Sequence, residues 1–350
     1  MEQTSSPARS GKIQFSGKAG EFFGIWIVNL LLSIVTLGIY SAWAKVRTNQ
    51  YFYGHTRIDQ QPFRYLATPI QILKGRIIAV IIFASYAVIS SFSPQLSILL
   101  ALAVLFASPW FIVLSLKFNM RMTSYRNVRF AFHGTYGSAF KYCVLFPVLS
   151  VFTLYLALPW VMKRLDQFIY SNISYGGKKV AVKTEAGTYY IATLAAVAAT
   201  FGAIMVFGIV ASALGFSMLS ALDPAAAIGT FITGILVLYF VAFVVGTAIY
   251  QTLIRNHLFE RCEFPDVASF KSTVTVPAYL WLTASNLLAI ICTLGLAYPW
   301  VRVRKAAYLA SVTDVTIYPQ ADKLIDEVQQ QNNAFGEEAA GLFDIDISIA

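Results

Sequence analysis

Seven apolar stretches dominate the chain, at about residues 22–43, 77–92, 97–116, 140–160, 189–213, 228–250 and 278–300. Each approaches or exceeds the roughly 18 to 20 residues that a bilayer core demands. None has an Asp, Glu, Lys, Arg or His in its interior; Lys141 stands at the edge of the fourth. Apolar residues run all round these segments instead of forming one stripe, which separates membrane-embedded helices from helices lying on a surface. Hydrophobic residues make up 57% of the chain and charged ones 12%, too much apolar surface for a soluble core to hide. The fold class expected is an all-α polytopic membrane protein with seven hydrophobic helical segments and short β segments in basic loops.

The basic residues constrain how the segments cross. Counting Lys and Arg along the chain gives 3 in the N-terminal arm, 6 at 44–76, 5 from 117 to 141, 5 at 161–188, 3 at 251–277 and 4 after 300, with none at 93–96 or 214–227. Seven full crossings would put 11 on one side and 15 on the other, against the rule that cytoplasmic loops collect Lys and Arg. If only 77–92, 97–116, 189–213 and 228–250 cross, all 26 fall on one side. The segments 22–43, 140–160 and 278–300 are then re-entrant or in-plane elements, packed between the true spans because irregular backbone at membrane depth needs protein or water cover. Seven ordinary spans with a weak charge bias are the alternative.

Those three segments are copies of one another. The first carries Asn29, Thr36-Leu37-Gly38, Trp43 and Arg47, and the last carries Asn286, Thr293-Leu294-Gly295, Trp300 and Arg304 at identical intervals. The middle copy keeps Thr153-Leu154, Trp160 and Arg164 but has Phe146 and Tyr155 in place of Asn and Gly. Upstream, Phe15-x-Gly17-x-x-Gly20-x-x-Phe23 matches Phe132-x-Gly134-x-x-Gly137-x-x-Phe140, and an aromatic follows each Trp by eight residues, at Tyr51, Phe168 and Tyr308. An Arg-Asn pair before an aromatic also recurs, as Arg126-Asn127-x-x-Phe130 and Arg255-Asn256-x-x-Phe259. The organisation expected is an N-terminal arm at 1–20, a membrane domain at 21–319 built of three related units (about 15–118, 126–250 and 255–318), and an acidic tail at 320–350. Each unit reads as a glycine-bearing turn, an embedded element broken near Thr-Leu-Gly, a basic loop with short strands and a helical hairpin, which the third unit lacks.

In Phe15-x-Gly17, Trp26, Asn29, Thr36-Leu37-Gly38-Ile39-Tyr40, Trp43-Ala44-Lys45-Val46-Arg47, Thr56 and the acidic stretch from Gly336-Glu337-Glu338 to Phe343-Asp344, the chain resembles the YjgN family of bacterial inner-membrane proteins. The resemblance covers essentially the whole chain. It implies a multi-pass inner-membrane location and a helical fold, and it supplies no activity or catalytic residue.

Asn29 and Asn286 lie at membrane depth, where an unpaired amide is costly; they read as interhelical bonds or, with Thr36 and Thr293, as the lining of a polar cavity. Trp43, Trp160 and Trp300, each followed four residues later by Arg47, Arg164 or Arg304, match the interfacial aromatic with a snorkelling cation, and the three arginines could jointly hold a phosphate headgroup. His55, His133 and His257 lack metal-ligand spacing, and Cys143, Cys262 and Cys292 are scattered. No nucleophile elbow or phosphate-cradling loop is present, so neither an enzyme nor a cofactor is expected. The missing intramembrane charge argues against a proton-driven carrier. Small residues at Ala195, Ala198, Ala199, Gly202 and Ala203 permit close helix packing, within the chain or in a homo-oligomer.

The net charge of +9 divides into −6 on residues 320–350 and +15 on the rest. Basic residues beside apolar segments point to anionic membrane lipid and not to nucleic acid, and the acidic tail is expected either to fold back on the basic face or to dock a cytoplasmic protein partner. The function expected is a non-enzymatic scaffold or lipid- and partner-binding membrane protein; the alternative is a channel or facilitator for an uncharged or weakly polar solute.

Overall fold

A computed structural model describes residues 9–219, 223–327 and 330 of the protein. Among the described residues four helices hold segments long and apolar enough to cross a bilayer: α3 (Pro69–Phe92), α4 (Pro94–Arg121), α8 (Ala186–Leu219) and α9 (Pro224–Arg261). The chain is thus a largely helical, polytopic membrane protein. Three shorter apolar helices each open a helical hairpin. α1 (Ala19–Val35) turns back as α2 (Ser41–His55), and α10 (Val276–Cys292) turns back as α11 (Tyr298–Ser311). In the middle copy α5 (Tyr136–Phe140) runs through a π-helical turn at Lys141–Leu145 into α6 (Phe146–Phe152) and returns as α7 (Leu158–Ser171). The π turn precedes Pro147, which has no N–H to give the ladder.

One backbone device closes all three tips. Leu37 and Gly38 have φ of 49° and 88°, Leu154 and Tyr155 of 50° and 62°, and Leu294 and Gly295 of 50° and 92°. The second amide of each pair reaches back five residues, Gly38 to the Ser33 carbonyl at 2.7 Å, Tyr155 to Ser150 at 2.9 Å and Gly295 to Ile290 at 2.8 Å, which is a Schellman closure. The preceding threonine joins the arms. The Thr36 hydroxyl donates to the Leu32 carbonyl at 2.7 Å and accepts from the Tyr40 amide at 2.9 Å. Thr153 and Thr293 repeat this with Ser150 and Ala157, and with Ala289 and Ala297. Leu37, Leu154 and Leu294 at the apices are 94%, 84% and 96% exposed, which suits hydrocarbon and not water.

The polar linkers form strands: β1 (Arg9–Lys12), β2 (Gln14–Phe15), β3 (Thr56–Ile58), β4 (Gln61–Tyr65), β5 (Thr123–Tyr125), β6 (Val128–Phe132), β7 (Ile173–Tyr175), β8 (Lys178–Lys179), β9 (Ala181–Val182), β10 (Cys262–Phe264), β11 (Ala268–Ser272) and β12 (Thr313–Ile317). Residues with positive φ, Asp59-Gln60, Arg126-Asn127 and Gly176-Gly177, make the two-residue turns of three of the β-hairpins. All pairings are antiparallel, and the order runs β2-β3-β4-β5-β6-β7-β8 in one sheet and β1-β12-β11-β10-β9 in the other. Only Ile13 separates β1 from β2 and only Val180 separates β8 from β9, so the two sheets share bent corner strands and close into a ring. A closed ring has no free edge. Its interior packs Val128, Tyr175, Val267, Ala268, Val315 and Ile317 against Ala321 and Ile325 of the helical residues 320–327. Asp322 of this segment pairs with Arg126 at 2.5 Å and with Arg9.

Both arms of every hairpin, and both ends of each long pair, therefore start or finish at the ring. Around it α2 packs on α3, α4 on α5, α7 on α8, α9 on α10 and α11 on α1. Ala42, just past the first tip, packs with Ala67 and Ile72, and Arg76 donates to the Ser41 hydroxyl, so this tip reaches only the first two turns of α3. The repeated Phe-x-Gly is a packing device. A Cβ on Gly17 would lie 2.6 Å from the Phe15 ring and 3.1 Å from Tyr51, and one on Gly134 would lie 2.4 Å from Phe132 and 3.0 Å from Phe168. Each glycine thus lets a strand aromatic fold back onto the aromatic eight residues past Trp43 or Trp160.

Several expected boundaries move. Residues 9–15 of the arm belong to the ring, as do 320–327 of the tail; residues 1–8, 328–329 and 331–350, with most of the tail's acids, lie outside the described residues. The Arg-Asn recurrence is not a structural repeat, since Arg126-Asn127 forms a β-turn and Arg255-Asn256 lies within α9. On α8 a close approach falls one residue along from Ala195 and Ala199: a Cβ on Gly246 of α9 would lie 2.3 Å from the Thr200 hydroxyl and 3.4 Å from the Ala196 carbonyl.

Candidate functional site: an apolar chamber above the ring

Where the helix bases meet the ring they frame a partly open chamber of about 590 Å³. All three units line it, with Phe52 and Tyr53 of α2, Met120 of α4, Tyr170 of α7, Leu258 and Phe259 of α9, and Arg302 and Ala306 of α11. Its floor is Phe63, Phe130, Phe264 and Phe270 from β4, β6, β10 and β11. The same four rings roof a smaller cavity of about 90 Å³, closed from beyond by Ala321 and Ile325. The phenylalanines are therefore a septum across the ring. Phe130 lies 4.9 Å from Tyr175 and 6.4 Å from Phe264, and Phe264 lies 6.2 Å from Phe270. A space of this size and lining suits an apolar chain or ring.

Polar groups at its margin are held neutral or paired. Burial pushes the Cys262 thiol up to about 12, with the nearby Asp166 carboxylate adding to the effect. Beneath the septum, burial also pushes Tyr125 up to about 12 and raises Tyr175. The Tyr175 hydroxyl donates to the Tyr125 carbonyl at 3.0 Å, and the Tyr125 hydroxyl to that of Ile58 at 2.9 Å. Arg302 is the cation of the chamber, its guanidinium 4.8 Å over the Phe52 ring.

The residues singled out by the repeat occupy other places. Each arginine stays within its own hairpin, so the three do not assemble around one phosphate. Arg164 lies 5.3 Å over Trp160 and Arg304 5.0 Å over Trp300, whereas Arg47 donates to the Tyr40 hydroxyl at 3.2 Å and Tyr40 stacks on Trp43. Arg304 also donates to Asn286 at 3.0 Å and to Ser285 at 2.7 Å. In the middle copy Phe146 replaces the amide and packs on Trp160 at 4.9 Å. Thr36 and Thr293 are engaged in the tips. Asn29 is 4% exposed, and neither end of its amide has a protein partner. It lines a groove between α1, α2 and α11 that holds none of Thr36, Asn286 and Thr293. The residues that sequence reasoning missed are Arg302, two positions before the repeated arginine, and the septum phenylalanines. Phe63, Phe130 and Phe270 stand two residues before the ends of the strands that lead into helices, a signal that short strands made hard to see.

Comparison with known proteins agrees with this membrane architecture. Residues 10–342 match the family described as bacterial protein of unknown function (DUF898). The inner membrane protein YjgN of Salmonella typhimurium is 27% identical over 344 residues, covering 86% of this chain and 87% of that one. Its counterpart in Escherichia coli O157:H7 is 24% identical over 339 residues, covering 83% and 84%. No solved structure matches significantly. With four membrane-length helices and these relatives, the chain is a multi-pass inner-membrane protein. It belongs to the DUF898 family of bacterial proteins of unknown function.

Proposed function

We propose that the protein is a non-enzymatic lipid-binding membrane protein that holds an apolar chain in the chamber above the ring. The observation that carries this reading is the chamber itself, a pocket of about 590 Å³ lined by aromatic side chains from all three units and floored by four phenylalanines. In this reading only the four long helices cross. The three hairpins dip in from the ring side with their leucine tips in hydrocarbon, and all 26 Lys and Arg lie on the cytoplasmic face beside anionic headgroups. In this reading the acidic residues beyond 330 dock a cytoplasmic partner, and removing residues 331–350 tests this by pull-down.

Native mass spectrometry of the delipidated protein titrated with phospholipid tests the chamber. Wild type should retain lipid, and Ala306→Phe, which fills the chamber, should retain less. No retained lipid, or equal retention by both, would sink the reading. The Arg47/Arg164/Arg304 triple alanine variant tests the hairpin cations separately, and it should lower affinity for anionic lipid.

A facilitator lined by Asn29, Thr36, Asn286 and Thr293 has less support. Both threonine hydroxyls are bound in the tips, and Asn286 is held by Arg304.

A further inference from the structure

The ring of helices is incomplete at one place. The long pair α3/α4 stands between the first and second hairpins and α8/α9 between the second and third, but α11 packs directly on α1. A groove of about 410 Å³ lies at that junction, walled by Phe22, Trp26 and Leu30 of α1 and by Tyr298 of α11, with the Trp26 and Tyr298 rings 6.2 Å apart. It opens where a third helical pair would otherwise cover α1.

Asn29 lines this groove with its amide nitrogen and oxygen both buried and unpartnered. A buried amide at the edge of hydrocarbon costs free energy until something bonds to it. Its counterpart Asn286 is satisfied by Arg304, but Arg47 turns to Tyr40 and leaves Asn29 open. Two cations share the groove: Lys45 on α2, which is exposed, and Arg302 on α11, whose guanidinium donates to the Tyr298 hydroxyl at 3.0 Å. Thr48 and Ser33 add hydroxyls, and no carboxylate lines it.

Depth fits a headgroup. Ser41 and Ala42, just past the apolar tip, lie beside Arg76 and Ile72 of α3, in the turns that lead into its apolar stretch at 77–92. Asn29 stands eight residues before Leu37, about 12 Å back along the helix axis toward the ring. The headgroup zone occupies about 5–7 Å on each side of the hydrocarbon core, so with Leu37 about 5 Å or more inside the core Asn29 falls at phosphate level.

We propose that this groove binds the phosphate of an anionic phospholipid entering sideways from the cytoplasmic leaflet. The Asn29 amide and the Lys45 and Arg302 cations donate to the phosphate, and the acyl chains lie against the uncovered face of α1. The proposal rests on the lipid-binding reading above and adds to it the residues that hold the headgroup phosphate and the point of entry. Arg302 lines both cavities and so stands between the groove and the chamber.

The test is native mass spectrometry of delipidated full-length protein with phosphatidylglycerol and phosphatidylcholine of matched chains, alongside calorimetry with inorganic phosphate. Wild type should prefer phosphatidylglycerol by about tenfold. Asn29→Leu, and separately Lys45→Gln with Arg302→Gln, should bring that preference below about twofold while phosphatidylcholine still binds. Lys271→Gln, an exposed ring lysine away from the groove, should keep it. Ala306→Phe should weaken both lipids without changing their ratio. An unchanged preference in the groove variants overturns the groove and leaves the chamber standing, whereas absence of lipid from wild type overturns both. Inorganic phosphate that binds and competes with the lipid assigns the site to a free ion and overturns the lipid source. Asn29→Leu keeps the test decisive should the Arg302 variant fail to fold.

Discussion

Arg304 donates to the amide oxygen of Asn286 across the two arms of the third hairpin at 3.0 Å, while the equivalent residues of the first hairpin, Arg47 and Asn29, do not meet. The two asparagines should therefore answer differently to removal. A hydrogen bond from a charged donor to a buried amide contributes about 1.5–3 kcal/mol, and losing Asn286 also strips a partner from a half-buried guanidinium. Asn286→Ala should lower stability by about 2 kcal/mol, whereas Asn29→Leu should stay within about 1 kcal/mol of wild type. Thermal denaturation in detergent reads both, and equal losses at the two sites would contradict the asymmetry.

Gly17→Ala and Gly134→Ala should each cost about 1–3 kcal/mol, because the added methyl overlaps a ring held on both sides. Shortening that ring should relieve the clash, so Gly17→Ala with Phe15→Leu should cost less than the sum of the single changes. Additive costs would mean that the glycine serves some other purpose.

Tyr155 holds φ of 62° at a position where the other two hairpins use Gly38 and Gly295. A side chain in the left-handed region costs about 1–2 kcal/mol. Tyr155→Gly should consequently raise stability by about 1 kcal/mol and Gly38→Ala lower it by a similar amount. A melting curve shifted downward in both variants would refute this.

Cys262 is kept protonated by burial. With its thiol pushed up to about 12, the thiolate fraction at pH 8 is about a hundredfold or more below that of an ordinary cysteine, and thiolate is the reactive form. In a chain whose Cys143 and Cys292 are replaced by alanine, maleimide should label Cys262 at least about a hundredfold more slowly than after denaturation. The rate should climb with pH until about 12. Fast labelling at pH 8 would show the chamber margin open to water.

Single cysteines introduced at Gln61, Lys178 and Lys271 on the ring should react with an impermeant maleimide from the same side of the membrane, and one at Gln95 from the other. All four residues are exposed. Labelling of Lys178→Cys from the side of Gln95→Cys would restore seven full crossings.

Much of this was legible in the chain because the hairpin tip is a local device. Thr36-Leu37-Gly38 and Thr293-Leu294-Gly295 state a bridging hydroxyl and a left-handed turn within three residues, and the four long helices announce themselves by length and missing charge. The ring was hidden by its brevity. Strands of 2 to 5 residues show little alternation, and the pairing of β1 with β12 is a fact of three dimensions only. Arg302 was hidden for another reason: the repeat drew attention to Arg304, but helical geometry turns a residue two positions earlier to a different face, here toward Phe52. The three repeated arginines matched in spacing but only partly in partners: Arg164 and Arg304 lie over their tryptophans, Arg304 also bonds to Asn286, and Arg47 turns to Tyr40.

The closure of the ring sets an order on biogenesis. Arg9 lies opposite Ile317, so the first described strand waits for a partner made about 300 residues later, after both long helical pairs have left the ribosome. Until then β1 and β11 each present an open seam, and loop closure over that separation is slow. The final residues of the membrane domain thus act as a clasp: a chain halted before residue 313 can thread its four long helices into the bilayer yet has no completed ring, no septum held from below and no chamber to fill.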